Sequence, residues 1–394
     1  MTPNPALGVV FHWLGGLASG SFYVPFRFVK KWSWETYWLA GGVFSWIVVP
    51  WALGFYMTSH LTAVLHEASW NTLFWVYFFG FLWGFGGLTF GLAIRYLGMS
   101  LGMAMVLGYC AAFGTLMPPI FHGQFGHVAH TQSGQVILAG IAVCMVGIAL
   151  AGVAGTSKER EMSPEQRTAV IKEFSLKKGI LVATFSGIMS ACFSYGLDAG
   201  AEIRQITLRH GTSTLWQGLP ILVVVLLGGF TTNFAWCLIL NFRNKTGYEY
   251  FSSRIRSHQP GREQEPIVEN AIDAPGEEGA KAPPAPGPPG APERAPMLNN
   301  YFFCALAGTL WYFQFFFYTM GETQMGAYKF SCWTMQMASI IIFSSLWGIA
   351  LHEWRGASVR TKSWLGLSLA VLVASTVIVG YGNYLGTLPQ TAAR

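Results

Sequence analysis

The feature that most limits how this chain can fold is a series of ten long apolar stretches. Each is close to the length of about 20 residues that an α-helix needs to cross the hydrocarbon core of a bilayer. The stretches cover residues 7–28, 37–58, 72–94, 98–121, 134–155, 178–198, 214–240, 299–320, 331–352 and 364–386. Charged residues make up only 11% of the chain, whereas soluble domains carry roughly 25%. The sequence therefore predicts an all-α polytopic membrane protein with ten transmembrane helices.

The basic residues of the connections indicate how the helices are oriented. If the amino terminus lies outside, 20 of the 24 Lys and Arg residues fall in the inner connections. Only Arg204, Arg209, Lys329 and Arg394 then remain on the outer side. Because the inner loops of membrane proteins are enriched in Lys and Arg, this distribution predicts that both termini lie outside.

Two hydrophilic segments interrupt the series of apolar stretches. Residues 157–177 form a short basic connection, which we expect to be a cytoplasmic linker. Residues 241–298 form a longer segment, and ten of the 19 prolines lie in its second half. Such a composition offers few apolar side chains to bury, so the segment is predicted to be a disordered, Pro-rich cytoplasmic loop.

Glycine patterns in the two halves of the chain indicate an internal repeat. Gly8 and Gly16 match Gly179 and Gly187 at an offset of 171 residues, and Gly80 and Gly98 match Gly308 and Gly326 at an offset of 228. The second offset is larger because the 241–298 insertion precedes its matched glycines in the second half. The predicted first repeat covers 1–156 and the second 178–394. Five helices is an odd number, so the second copy would enter the membrane inverted, as in transporters that work by alternating access.

Cysteine spacing, motifs and charge distribution argue against several other functions. All six cysteines lie in apolar stretches without CxxC or Cys/His spacing, so neither a disulfide framework nor a metal site is expected. Acidic residues are almost absent from the apolar stretches and no catalytic or cofactor motif is present, so we expect no enzyme activity and no cofactor. The basic residues are dispersed over loops, so nucleic acid is not an expected partner.

Three polar residues inside the apolar stretches are the first candidates for a binding site, since such residues are costly in lipid. They are His12 in the first helix, Gln314 in the eighth and Gln336 in the ninth. At 1.5 Å per residue, each lies roughly 8–9 Å below the outer boundary. An imidazole and two amides in one layer supply donors and acceptors for a polyhydroxylated ligand. Packing between helices is the alternative interpretation of all three.

Aromatic residues near this layer extend the candidate site. Trp311, Gln314 and Tyr318 fall on one face of the eighth helix by their spacing, while Trp83 and Tyr109 lie nearer the middle of the membrane. Aromatic faces beside amides suit a sugar, whose C–H faces stack while its hydroxyls form hydrogen bonds.

Proton coupling requires a group that titrates. His12 is the first candidate, because only histidine changes charge near neutral pH without a large shift. Asp198 is the second candidate, although its position past the sixth apolar stretch places it at the outer surface.

Several segments closely resemble the bacterial L-rhamnose–proton symporter family, within the drug/metabolite transporter superfamily. They are residues 22–26 (FYVPF), 30–36 (KKWSWET), 95–100 (RYLGMS), 176–179 (LKKG), 310–312 (LWY), 314–318 (QFFFY) and 353–354 (EW). The resemblance implies ten helices, an inner-membrane location, and uptake of a deoxy sugar with protons, so that sugar, protons and lipid are the partners. His12 and Gln314 fall at positions that this family also carries.

The sequence departs from the family pattern at two places that border the candidate site. Gln336 stands where a histidine is expected, and residues 198–215 differ from the enterobacterial pattern. The leading interpretation is proton-coupled import of L-rhamnose or a related deoxy sugar. The alternatives are a carrier or exporter of another small metabolite of the same superfamily, and a membrane scaffold or receptor acting through the Pro-rich loop.

Overall fold

The protein is described by a computed structural model over residues 3–162, 175–254 and 294–388. Within these residues, ten helices are long and apolar enough to cross a membrane, which confirms the predicted all-α polytopic fold. They are α1 (Pro5–Phe26), α2 (Trp34–Met57), α3 (Trp70–Leu97), α4 (Met99–Phe121), α5 (Gln132–Glu161), α6 (Leu176–Arg209), α7 (Thr214–Asn244), α8 (Met297–Thr323), α9 (Gly326–Ala350) and α10 (Val359–Leu385). Several helices exceed the predicted apolar stretches because backbone hydrogen bonding continues into the polar connections.

Helices α7 and α9 begin with short 3₁₀ segments, and α1, α2 and α6 are interrupted along their length. Regular α-helix ends at Ser21 in α1, and a single turn, Tyr23–Phe26, completes that helix. In α2 a π-helical turn, Phe44–Val48, precedes Pro50, whose missing N–H cannot donate to the carbonyl one turn earlier. In α6 the chain breaks at Gly200, and a short helix, Ala201–Arg209, follows it.

The helices assemble as two groups of four and one pair. In the first group α1 lies against α8 and α9, and α2 lies against α8. In the second group α6 lies against α3 and α4, and α7 lies against α3. The pair consists of α5 and α10, which contact α4 and α9 respectively. Adding five to every helix number, and returning from ten to one, converts these contacts into one another, while the inverted five-helix repeat stays a prediction.

Glycines that match in the predicted repeat occupy equivalent close contacts. A Cβ added at Gly80 would lie 2.0 Å from the Val225 carbonyl oxygen, and one at Gly308 would lie 2.1 Å from the Gly41 carbonyl oxygen. The backbones of α3 and α7 are thus in close contact, and those of α8 and α2 are in close contact in the same way. Gly98 and Gly326 begin α4 and α9 with φ values of 82° and 59°, which favour glycine.

The side of the bundle at which α1 starts and α10 ends is the termini face, and the opposite side is the linker face. On the linker face, two buried carboxylates join the start of α2 to the end of α7. Glu249 accepts hydrogen bonds from the Ser33 amide at 2.7 Å and from the Thr36 hydroxyl at 2.8 Å. Glu35 accepts one from the Thr246 hydroxyl at 2.7 Å. These reciprocal bonds fix the two helix ends together.

The structure narrows the two predicted hydrophilic segments. Helix α7 continues to Asn244 and a short 3₁₀ turn, Gly247–Tyr250, follows it, so the first part of the predicted 241–298 loop belongs to the fold. The two ends of the predicted 157–177 linker are likewise helical, because α5 continues to Glu161 and α6 begins at Leu176. Residues 163–174 and 255–293, where the remaining predictions for these segments fall, lie outside the described residues.

Candidate functional site

A central cavity runs between the two groups of helices from the middle of the bundle to the linker face. Its larger chamber has a volume of about 480 Å³ and a smaller adjoining chamber about 190 Å³. Both chambers are lined by Phe22, Tyr23 and Trp311. The larger one reaches Lys158 and Glu353 at the linker face, where the Lys158 ammonium lies 4.9 Å from the centroid of the Trp354 ring. The cavity therefore opens toward one face of the bundle.

An aromatic wall closes the inner end of this cavity. The rings of Trp83 and Trp311 lie 5.5 Å apart, centroid to centroid, and Trp83 lies 4.9 Å from Phe193. Phe315 stacks on Phe193 at 4.0 Å and lies 5.0 Å from Trp311. Of the predicted site residues, Trp83 and Trp311 are thus brought together in the cavity. Their faces offer the stacking surface that a sugar requires.

Polar side chains that sequence reasoning did not assign also line the cavity. Ser190 and Asn233 face the smaller chamber, and Ser344 and Ser345 face the larger one. The side-chain amide oxygen of Asn233 accepts a hydrogen bond from the Trp38 indole at 3.2 Å. Asn233 lies near the inner end of α7, away from the level of His12, and its position beside the aromatic wall depends on how α7 is rotated. An amide within an apolar helix was the signal that could have found it.

His12, Gln314 and Gln336 are brought together, but away from the cavity chambers. His12 is completely buried, and Gln314 and Gln336 are 6% and 1% exposed. Gly15, one turn after His12, lies against the Gln314 backbone carbonyl and the Gln336 amide, so α1 fits between α8 and α9 at this level. The three side chains lie in one sealed layer and line neither chamber of the central cavity.

Hydrogen bonding in this sealed layer is incomplete. The Gln314 amide donates to the Trp311 carbonyl at 3.0 Å. The Gln336 amide adjoins the His12 ring, yet neither side chain makes a hydrogen bond of good geometry with any described residue. A buried polar group without a partner costs about 1–3 kcal/mol. A hydrogen bond to any of these atoms would remove that cost.

The remaining predicted site residues occupy three different places. Tyr318 is buried in the sealed layer, with its ring 5.2 Å from that of His12. Tyr109 lies in a separate lateral groove between α4 and α5, not in the central cavity. Asp198 lies on the termini face, where its carboxylate is 2.7 Å from the His122 ring and its side chain is 44% exposed.

The termini face is closed above the sealed layer. Arg204, on the short helix that ends α6, pairs with Glu322 at the end of α8 at 3.0 Å, and these side chains are 13% and 12% exposed. The pair joins the two groups of helices. Another acid of this face, Glu67, contacts Arg209 at 2.9 Å, and its side chain is 44% exposed. A hydrogen bond from His210 lowers the pKa of its carboxyl.

Within residues 3–162, 175–254 and 294–388, no group of three or more His, Cys, Asp or Glu side chains could hold a metal ion. All six cysteines are free and buried. What the described residues offer instead is an aromatic cavity with amide and hydroxyl groups, open to one face and closed at the other. Such a cavity suits binding and release of a small polar molecule.

Comparison with known proteins gives a family for this arrangement. The family model of the L-rhamnose-proton symport protein (RhaT) matches residues 1–247 and 292–384. The chain is 33% identical over 379 residues to the L-rhamnose-proton symporter of a Klebsiella pneumoniae strain, covering 95% of this chain and 97% of that protein. The proteins of the same name from Salmonella gallinarum and Salmonella dublin are 32% and 33% identical over the same lengths.

These matches cover nearly all of the chain, including all ten spanning helices. The family model leaves out residues 248–291, which contain most of the Pro-rich loop. The family is one of transporters and not of enzymes, which agrees with the cavity and with the sequence expectation. The chain is a multi-pass membrane protein of the L-rhamnose-proton symport protein family.

Proposed function

We propose that this protein imports L-rhamnose, or a closely related deoxy sugar, together with protons across the bacterial inner membrane by alternating access. The observation that carries the proposal is the central cavity, which has aromatic walls and opens to the linker face while Arg204 and Glu322 close the termini face. The names of the relatives point to the same substrate and the same coupling ion.

The chemistry of the cavity suits a deoxy sugar. Such a sugar has a methyl group and a C–H face at one side and hydroxyls at the other. Trp83 and Trp311 offer aromatic surface for the first, while Ser190 and Asn233 offer hydrogen bonds for the second. The volume of the larger chamber, about 480 Å³, lies within the range of small-molecule sites. We therefore place the sugar against the Trp83–Trp311 wall.

Alternating access follows from the two groups of helices. The distribution of Lys and Arg puts the linker face inside the cell, so the present conformation faces inward. Opening the other side would separate α6 from α8 and expose the sealed layer of His12, Gln314 and Gln336 to the outer solution. The five-helix repeats, related by inversion, would make the two conformations similar in energy.

We assign proton coupling to His12, with Asp198 as the second candidate. His12 is buried at the level where sugar entering from outside would first meet amides, so its charge and sugar binding can influence each other. Asp198, by contrast, is a solvent-exposed residue beside His122 on the termini face, so it exchanges protons with the solution on that side of the membrane only.

Calorimetric titration of the purified protein with L-rhamnose and with L-mannose, which differs by one added hydroxyl, tests the proposed substrate class. We expect L-rhamnose to bind more tightly, because the apolar wall cannot satisfy the extra hydroxyl. Equal binding of the two sugars would favour a broader sugar carrier. Binding of neither would favour another metabolite, or a scaffold acting through the Pro-rich loop.

A further inference from the structure

A second large groove lies on the side of the bundle, between α4 and α5. Its volume is about 680 Å³, and most of its lining is apolar, including Leu101, Met105, Met145 and Val153. The Tyr109 side chain also faces it. This groove is separate from the aromatic wall of the central cavity, and nothing in the transport cycle proposed above uses it.

One end of the groove is charged. Arg160 at the end of α5 and Arg360 at the start of α10 both line it at the linker face, together with Trp364. Glu161 is beside them, but its carboxylate is engaged with the start of α10: it accepts hydrogen bonds from the Ser358 amide at 2.8 Å and from the Thr361 hydroxyl at 2.6 Å. The Glu161 carboxylate keeps its negative charge, but the two guanidinium groups outweigh it, so this end is net positive and favours an anion.

We propose that this groove binds an anionic phospholipid of the inner leaflet, with its phosphate between Arg160 and Arg360 and one acyl chain along the apolar lining. An apolar channel that ends in two guanidinium groups is complementary to a molecule with an anionic head and a hydrocarbon tail. The arginines come from different helices, so the head group would join the end of α5 to the start of α10. Trp364 lies at the depth where indole rings favour the lipid head-group region.

The position of the groove gives the bound lipid a role. Ala104, Ile148 and Gly152 line both this groove and the central cavity, so the wall between them is one side chain thick. A Cβ added at Gly152 would lie 2.7 Å from the Ala104 Cβ, which shows how closely α4 and α5 approach at that point. An acyl chain in the groove would support this thin wall while the cavity is open to the linker face.

Fluorescence quenching by brominated lipids tests the proposal without measuring transport. The full chain is placed in phosphatidylcholine nanodiscs, and brominated phosphatidylglycerol or brominated phosphatidylcholine is added. The signal of Trp364 is the part lost in the Trp364→Phe variant. We expect phosphatidylglycerol to quench this signal at about tenfold lower mole fraction, since two arginines near the surface favour an anionic head group. Inorganic phosphate, which has no acyl chain, should not reverse the quenching.

Charge variants complete the test. We expect R160Q/R360Q to remove the preference for the anionic lipid and R160K/R360K to retain it. The control, R243Q/R355Q, removes two arginines from the linker face outside the groove and should change nothing. Equal quenching by the two lipids in the unaltered chain would overturn the proposal. A preference that survives in R160Q/R360Q, or displacement by inorganic phosphate, would also overturn it.

Discussion

Arg204 and Glu322 form an ion pair of 3.0 Å that joins the second group of helices to the first across the termini face. The same guanidinium donates to the Leu197 carbonyl at 2.8 Å, so it is anchored to α6 before it reaches α8. Outward opening must separate these two charges. Both side chains are nearly buried. If one of the two charges is removed, the other is left unpaired and poorly solvated in the closed conformation, whereas water can solvate it in the open one.

The ion pair therefore predicts how single and double substitutions change the closure of the termini face. Removal of one partner, in Glu322→Gln or Arg204→Gln, should favour the open conformation. Cys332 reports on this, because it is fully buried near the end of α9 that lies at the termini face. We expect each single variant to raise the labelling rate of Cys332 by an external maleimide about tenfold, a shift of about 1.4 kcal/mol. The labelling rate should increase less in the double variant, because that variant leaves no buried charge unpaired.

Glu67→Gln is the matched control for these variants. It removes a carboxylate of the same face whose pair with Arg209 is exposed, and exposed pairs contribute little. Its Cys332 labelling should match that of the unaltered protein. If neither Glu322→Gln nor Arg204→Gln changes the labelling rate, the pair does not hold this face closed.

The aromatic wall predicts that sugar affinity depends on both indole rings. Trp83→Ala and Trp311→Ala should each raise the Kd for L-rhamnose about tenfold, equivalent to about 1.4 kcal/mol, because a stacking surface is lost. Trp311→Phe should lose less, since a ring remains. Trp75→Ala, on the exposed side of α3, is the control and should leave the Kd unchanged. Calorimetric titration measures all four, and an unchanged Kd in both Ala variants at the wall would place the sugar elsewhere.

The sealed layer predicts a separation of sugar exchange from proton coupling. His12→Ala should abolish the accumulation of sugar driven by a pH gradient, while exchange of labelled for unlabelled sugar continues. Asp198→Asn should preserve accumulation, because Asp198 is a surface residue beside His122. Uptake in proteoliposomes with an imposed pH gradient measures both variants. Proton-driven uptake that persists in His12→Ala with Asp198 intact would exclude His12 as the coupling residue.

The close contacts of the matched glycines predict equivalent losses of stability in the two halves. Gly80→Ala and Gly308→Ala would each force a Cβ against a backbone carbonyl, and overpacking of this kind costs about 1–3 kcal/mol. Gly366→Ala should be neutral or stabilising, because no heavy atom lies within 4 Å of the added Cβ. Thermal unfolding in detergent compares them. A Tm in either close-contact variant equal to that of Gly366→Ala would contradict the packing described here.

The helices and the depth of the polar layer could be predicted from the sequence, because both depend on position along the chain. Apolar length located all ten helices, and counting residues from the boundary placed His12, Gln314 and Gln336 at one level. The rotation of each helix could not be predicted in this way. It separates Trp83, which faces the cavity, from Tyr109, which faces the lateral groove. Such rotations depend on contacts between helices far apart in sequence.

Counterflow of labelled L-rhamnose in proteoliposomes, with and without a pH gradient, tests proton-coupled sugar import most directly. The account predicts exchange in both conditions, and accumulation above equilibrium only when the outside is the more acidic side. The Glu322→Gln variant should reduce this exchange, since its conformations are no longer balanced. Absence of exchange with L-rhamnose or any related deoxy sugar, or exchange with no accumulation under any pH gradient, would contradict the account.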